Sequence, residues 1–137
     1  MLYITETDYN IILAYCRENL PNEACGLVAG IEEGNSKFIK KVYLLTNTDA
    51  SSKHFSMDIE EQFAAVKDMR AHGYKLLGNF HSHPNSLAVP SSEDKRLAYD
   101  ADVYYMIFSL MDIDKPVLNV FNISREKDIT AVEFMVL

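Results

Sequence analysis

Basic residues are in the minority in this chain. Thirteen Lys and Arg stand against 20 Asp and Glu over 137 residues, giving a net charge of −7 and a pI near 5.0. An acidic surface with scattered cations repels phosphate, which argues against nucleic acid as a partner. No apolar run approaches the ~20 residues that a membrane span needs. Cysteine is nearly absent. Cys16 and Cys25 are too few for a disulfide framework and do not form a C-x-x-C pair. They read as small buried apolar residues, and their sparseness fits a reducing cytoplasm. The segment from Met1 to Glu6 lacks a basic region followed by an apolar stretch, so no signal peptide is expected. Several site signatures are missing too: His-Glu-x-x-His, the Pro-Cys-x-x-Cys of the zinc deaminases, and any phosphate-binding glycine loop. There is no internal repeat, linker or low-complexity tract.

What is present describes a globular domain. Apolar residues are 48% and charged residues 24%, and the length suffices for one domain over 1–137 with a real core. Leu2 to Thr5 reads as an edge strand, and Thr5 with Asp8 as a capping box opening a helix to about Asn19. Ile12 and Cys16, with Tyr9 or Leu20, give that helix one apolar face. Ala24 to Ile31 is small and apolar, as in a buried strand. Gly26 and Gly30 within it imply bends or close approach of other groups. A turn at Glu33–Ser36 returns the chain along Lys37 to Thr46. His54 to Met57 alternates like a short strand. Asp58 caps a second helix, with Ile59, Phe63, Val66 and Met69 or Arg70 on successive turns and Gly73 at its end. A third helix is expected from Ser91 to about Ala101, a central strand over Val103 to Leu110, and an antiparallel pair over Val117 to Ile123 and Ile129 to Val136. The expected architecture is α+β: one mixed, twisted sheet of about seven strands packed by three helices, not a doubly wound parallel fold.

The chemistry concentrates in Gly78-Asn79-Phe80-His81-Ser82-His83-Pro84 and its continuation to Pro90-Ser91-Ser92-Glu93-Asp94. The run ending at His83 reads as a strand, so His81 and His83 share a face, as two ligands of one metal must. Ser82 points the other way and reads as structural. Pro84 ends the ladder because it has no N–H to donate. Asp94 falls about one turn into the helix that starts at Ser91. Two imidazoles and a carboxylate make a three-ligand set, and zinc so held keeps a fourth position open for water. Bland readings stand beside this one. His-x-His is compatible with two core-edge histidines. Ser91-x-x-Asp94 is a capping box, and a carboxylate that closes the box is not free to face a metal. Glu23 by itself reads as an exposed glutamate. His72 near a helix end and His54 in a loop read as surface or packing residues, although His54's loop could reach the cleft.

These residues together resemble the JAMM family of zinc metalloproteases (the JAB1/MPN/Mov34 domain with an intact metal motif). That family's motif is an upstream glutamate, His-x-His-Pro, and Ser-x-x-Asp. Here it stands as Glu23, His81-Ser82-His83-Pro84 and Ser91-Ser92-Glu93-Asp94, flanked by Cys25-Gly26-Leu27, Gly78 and Pro90. The resemblance implies a JAB1/MPN-like fold and one Zn²⁺ per chain on His81, His83 and Asp94. It implies Glu23 as general base and Ser91 as a donor to the oxyanion. The chain lacks the length for the inserted segments of the larger deubiquitinases and looks like the small stand-alone prokaryotic members. By that likeness the expected substrate is a ubiquitin-like or sulfur-carrier protein, cut by peptide or isopeptide hydrolysis after its C-terminal Gly-Gly. A non-catalytic scaffold of the same fold and a zinc hydrolase of small peptides or amides are the alternatives.

Overall fold

A computed structural model describes residues 1–137. In chain order the elements are β1 (Leu2–Ile4), α1 (Glu6–Glu18), β2 (Cys25–Glu33), β3 (Ser36–Leu45), α2 (Ile59–Ala71), β4 (Lys75–His83), α3 (Ser92–Arg96), β5 (Tyr104–Ser109), β6 (Val117–Ile123), β7 (Ile129–Ala131) and β8 (Phe134–Val136). The strands form one eight-stranded sheet in the order β7-β6-β5-β4-β2-β3-β1-β8. β4 runs parallel to β5, and β1 runs parallel to both of its neighbours; the other pairs are antiparallel. This is the mixed JAB1/MPN-like sheet expected, with one more strand.

β2 is apolar along both sides because both sides are covered. Val28, following Ala24, faces one core with Ile12, Leu13 and Cys16 of α1 and with Phe80, Met106 and Phe108 of β4 and β5. Cys25, Leu27 and Ala29 face the other side, against Ala65 and Met69 of α2. Gly26 has to be glycine, since a Cβ there would lie 2.2 Å from both the Phe80 ring and the Tyr43 carbonyl. Both long helices start on side-chain caps. Thr5 accepts from the Asp8 N–H and Asp58 from the Glu61 N–H, and acidic residues fill each first turn where the helix dipole favours them. Gly73 follows the end of α2 at φ +69, a conformation that costs glycine little. Both cysteines are free and fully buried, and burial pushes each thiol up to about 12.

Leu2–Ile4 is not an edge strand, because β8 lies outside it, and four further expectations need correction. The third helix ends at Arg96, not near Ala101. Side chains from elsewhere take the carbonyls beyond it: Lys127 bonds Ala98 O, Tyr105 bonds Asp100 O and Asn122 bonds Ala101 O. Asp100 also closes a local turn by accepting the Asp102 N–H, which competes with helix. His54–Met57 is not a strand; a single bridge joins Asn47 to Met57. On α2, Met69 is buried as expected, but Ile59 and Phe63 are 68% and 69% exposed, and Ala65 packs in their place.

The last correction concerns Ile129 to Val136, which is two strands. β7 pairs antiparallel with β6, as expected, but β8 pairs with β1 at the opposite edge of the sheet. Only Val132 and Glu133 lie between them, and two residues reach at most ~7 Å. The Val132 N–H bonds Val120 O at 2.8 Å, and the Leu2 N–H bonds Glu133 O at 3.1 Å. The two edges therefore meet, and the sheet curls nearly into a barrel.

Candidate metal centre

The β2–β4 register brings the site together. Cys25 pairs with His81, and Gly26 with Phe80. Continued antiparallel by two residues, that register sets Glu23 opposite His83. Ser82 fixes the alignment from the far face, as its orientation suggested. The Ala24 N–H donates to Ser82 Oγ at 2.8 Å, and the Ser82 N–H donates to Ala24 O at 3.0 Å. Glu23 is thereby carried into the interior and is only 4% exposed, unlike the surface glutamate its local sequence suggested. Burial pushes its carboxyl up to about 8; the attraction of His83 opposes this, and the negative charges of Asp94 and Glu93 add to it.

His81 and His83 project side by side, and α3 delivers Asp94 to them. His81 Nε2 and His83 Nε2 lie 3.1 Å apart, and each is 3.1 Å from Asp94 Oδ2. A zinc with bonds of ~2.0–2.1 Å makes a tetrahedron with edges of ~3.3 Å, so these donors need shift only a few tenths of an ångström to hold one. Two imidazole nitrogens and a carboxylate oxygen are also a donor set that suits zinc. The residues fit the ion.

Asp94 does what local reasoning held to be incompatible. Its Oδ2 faces both histidines and also accepts the Ser91 N–H at 2.9 Å, while Ser91 Oγ accepts the Asp94 N–H at 3.0 Å. The capping box and the metal-facing carboxylate are the same arrangement, because a carboxylate oxygen has lone pairs for both. Burial disfavours the Asp94 charge, but hydrogen bonds from His81 and His83 outweigh it and hold the carboxyl well below its usual range. For His83, burial works against the charged form. The Asp94 contact and the Leu87 carbonyl work for it and prevail, so its pKa is raised. Ser91 accepts through its oxygen, which leaves its hydroxyl proton available to another acceptor.

Several participants carry no sequence signal. His83 Nδ1 meets Leu87 O at 2.7 Å, which orients the ring with Nε2 toward the site. Leu87 sits in a loop pinned by Ser109 Oγ donating to Ser86 O and Asn119 Nδ2 donating to Ala88 O. Only the short separation of Leu87 from His83 hinted at this. On the other side Asn47, buried, donates to the carbonyls of Glu23 and His54 and accepts the N–H groups of Asp49 and Ser56. Phe55 stacks on the His81 ring. A cleft of about 470 Å³ opens over His81 and Asp94, with Phe55, Ile59, Leu97 and Tyr99 among its lining residues. His54 does line it, paired with Asp49 at 3.2 Å.

A curled mixed sheet with this three-donor centre and a buried glutamate beside it defines a JAMM-type hydrolase of peptide or isopeptide bonds. The family model described as prokaryotic homologs of the JAB domain matches residues 6–124, and the chain belongs to that family. It is 31% identical over 103 residues to a CysO-cysteine peptidase of Mycobacterium tuberculosis, covering 75% of this chain and 69% of that one. It is 29% identical over 103 residues to a desampylase of Haloferax volcanii, covering 72% and 73%. A solved protein from Desulfitobacterium hafniense is 46% identical with a TM-score of 0.91, covering 100% of this chain and 93% of its own. A JAB1/MPN domain protein from Archaeoglobus fulgidus, 21% identical with a TM-score of 0.59 over 96% and 97%, shares the fold.

Proposed function

We propose that this protein is a zinc-dependent peptidase that hydrolyses the peptide or isopeptide bond following the Gly-Gly tail of a ubiquitin-like or sulfur-carrier protein. The observation that carries the reading is the β2–β4 register, which sets a buried Glu23 against the His81, His83 and Asp94 cluster, two of whose members, His81 and Asp94, line an open cleft. The names of the mycobacterial and haloarchaeal relatives support the substrate class.

His81, His83 and Asp94 would hold the zinc, which when bound acts as a Lewis acid and lowers the pKa of a water from 15.7 to about 7. Glu23 takes the proton of the attacking water and passes it to the departing amine. A carboxylate beside the ligand set and outside it can do both. Ser91 donates its hydroxyl proton to the carbonyl oxygen as negative charge builds there. The apolar side chains of the cleft exclude water from an extended tail, and a Gly-Gly end has no side chain to collide with them.

The test is to incubate the zinc-loaded protein with ubiquitin-fold carriers extended past Gly-Gly and to weigh the products. Cleavage after the second glycine is expected. No cleavage of any of several carriers would sink the substrate class, and faster cleavage of short free peptides would favour a small-peptide hydrolase instead.

A further inference from the structure

The two histidines of the centre are supported differently. His83 has the Leu87 carbonyl on its Nδ1. His81 Nδ1 has nothing: it is the one buried side-chain polar atom of the chain without a hydrogen-bond partner. A metal-ligating histidine nearly always uses its second nitrogen to fix its ring. What His81 has is a ring on its face. Phe55 stacks on the imidazole with centroids 4.7 Å apart and planes 27° from parallel. Phe55 is itself held, by packing against the apolar cluster that includes Cys25, Leu27 and Leu45, and by a backbone that the Asn47 side chain ties on either side of it, at His54 O and the Ser56 N–H.

We propose that Phe55 is a positioning residue for His81, holding the imidazole plane by stacking where His83 uses a hydrogen bond. The inference rests on the metal reading of the site. A residue raises metal affinity only if it favours the bound state over the free one. Stacking does so here. An imidazole that shares its Nε2 lone pair with a dication becomes electron-poor, and the negative face of the Phe55 ring attracts it more strongly than it attracts the neutral ring.

The measurement is zinc affinity of the full chain by competition with a chelator, with Co²⁺ in place of zinc as a spectroscopic probe of ligand geometry. Phe55→Leu keeps apolar bulk and removes the ring; Phe55→Tyr keeps the ring. Phe55→Leu is expected to bind zinc at least about tenfold more weakly with an altered Co²⁺ spectrum, and Phe55→Tyr to stay within about twofold of wild type. Wild-type affinity in Phe55→Leu, or equal impairment in Phe55→Tyr, overturns the proposal. If Phe55→Leu does not fold, Phe55→Met serves in its place. A wild-type protein that binds no zinc overturns the metal reading and this inference with it, whereas zinc binding without carrier cleavage overturns only the substrate class.

Discussion

Along one side of the cleft, Pro84 to Arg96 is fastened by directional hydrogen bonds. Ser109 holds Ser86, Asn119 holds Ala88, Leu87 holds His83, and Ser91 and Asp94 hold each other. Along the other side, Asn47 to Asp58 is bonded at as many points, Asn47 tying Glu23, His54, Asp49 and Ser56, and Asp49 meeting His54 and Ser56, but what it lays against the centre is one aromatic face. The first side supplies groups that would touch the metal or the reacting carbonyl. The second supports from a distance, keeping Glu23 buried and His81 flat. Both sides are fastened by hydrogen bonds, and they differ in what they present to the centre: polar groups on the first, an aromatic face on the second.

The contrast makes predictions, the largest effect first. His83→Ala should leave the protein without zinc in metal analysis and without activity, whereas Glu23→Ala should retain zinc and lose ~10⁴-fold in turnover. Near-normal turnover in the Glu23 variant would remove it from the role of base. Ser91→Ala should lower kcat by ~10²–10³ and stability by ~1 kcal/mol, because the hydroxyl both meets the oxyanion and caps α3. If only stability falls, Ser91 belongs to the scaffold.

The supporting side should respond in stability first. Asn47→Ala removes the partner of backbone groups in four residues, the Glu23 carbonyl among them buried, and should cost ~1–3 kcal/mol in denaturant unfolding; a change under ~0.5 kcal/mol would mean this side does not need its amide. The smallest effect is on pH dependence in chelator-treated protein. Glu23 titrates at 4.5 when unfolded and at about 8 when folded, so between those values the folded chain keeps a proton that the unfolded chain has released. Stability should therefore fall as pH rises through that window, by on the order of 1–2 kcal/mol, and Glu23→Gln should reduce the slope to the part that the raised pKa of His83 contributes.

The same contrast explains how much of the molecule could be read from its residues. His81, His83, Ser91 and Asp94 are close in the chain, and strand alternation and a helix start suffice to converge them. Glu23 needed the resemblance, because its place depends on a strand pairing across more than fifty residues. Phe55 and Asn47 left no local trace, for stacking and a buried amide have no spacing rule. In α2, helical period correctly put Ile59 and Phe63 on one face but says nothing of whether that face is covered; the sheet lies against the smaller Ala65. The short α3 and the break at Val132 were invisible because the groups that end or divert those segments come from β5, β6 and β1.

That break sets an order of events at synthesis. β1 leaves the ribosome ahead of every other element of the sheet, and its partner β8 after all of them. Until Phe134–Val136 emerge, β1 lacks a neighbour on its outer side, and that unpaired edge is open to wrong partners. The helices and the histidine strand are already outside by then. The nascent protein therefore has its whole set of site residues before it has a closed sheet, and premature metal capture or strand exchange would act in that interval.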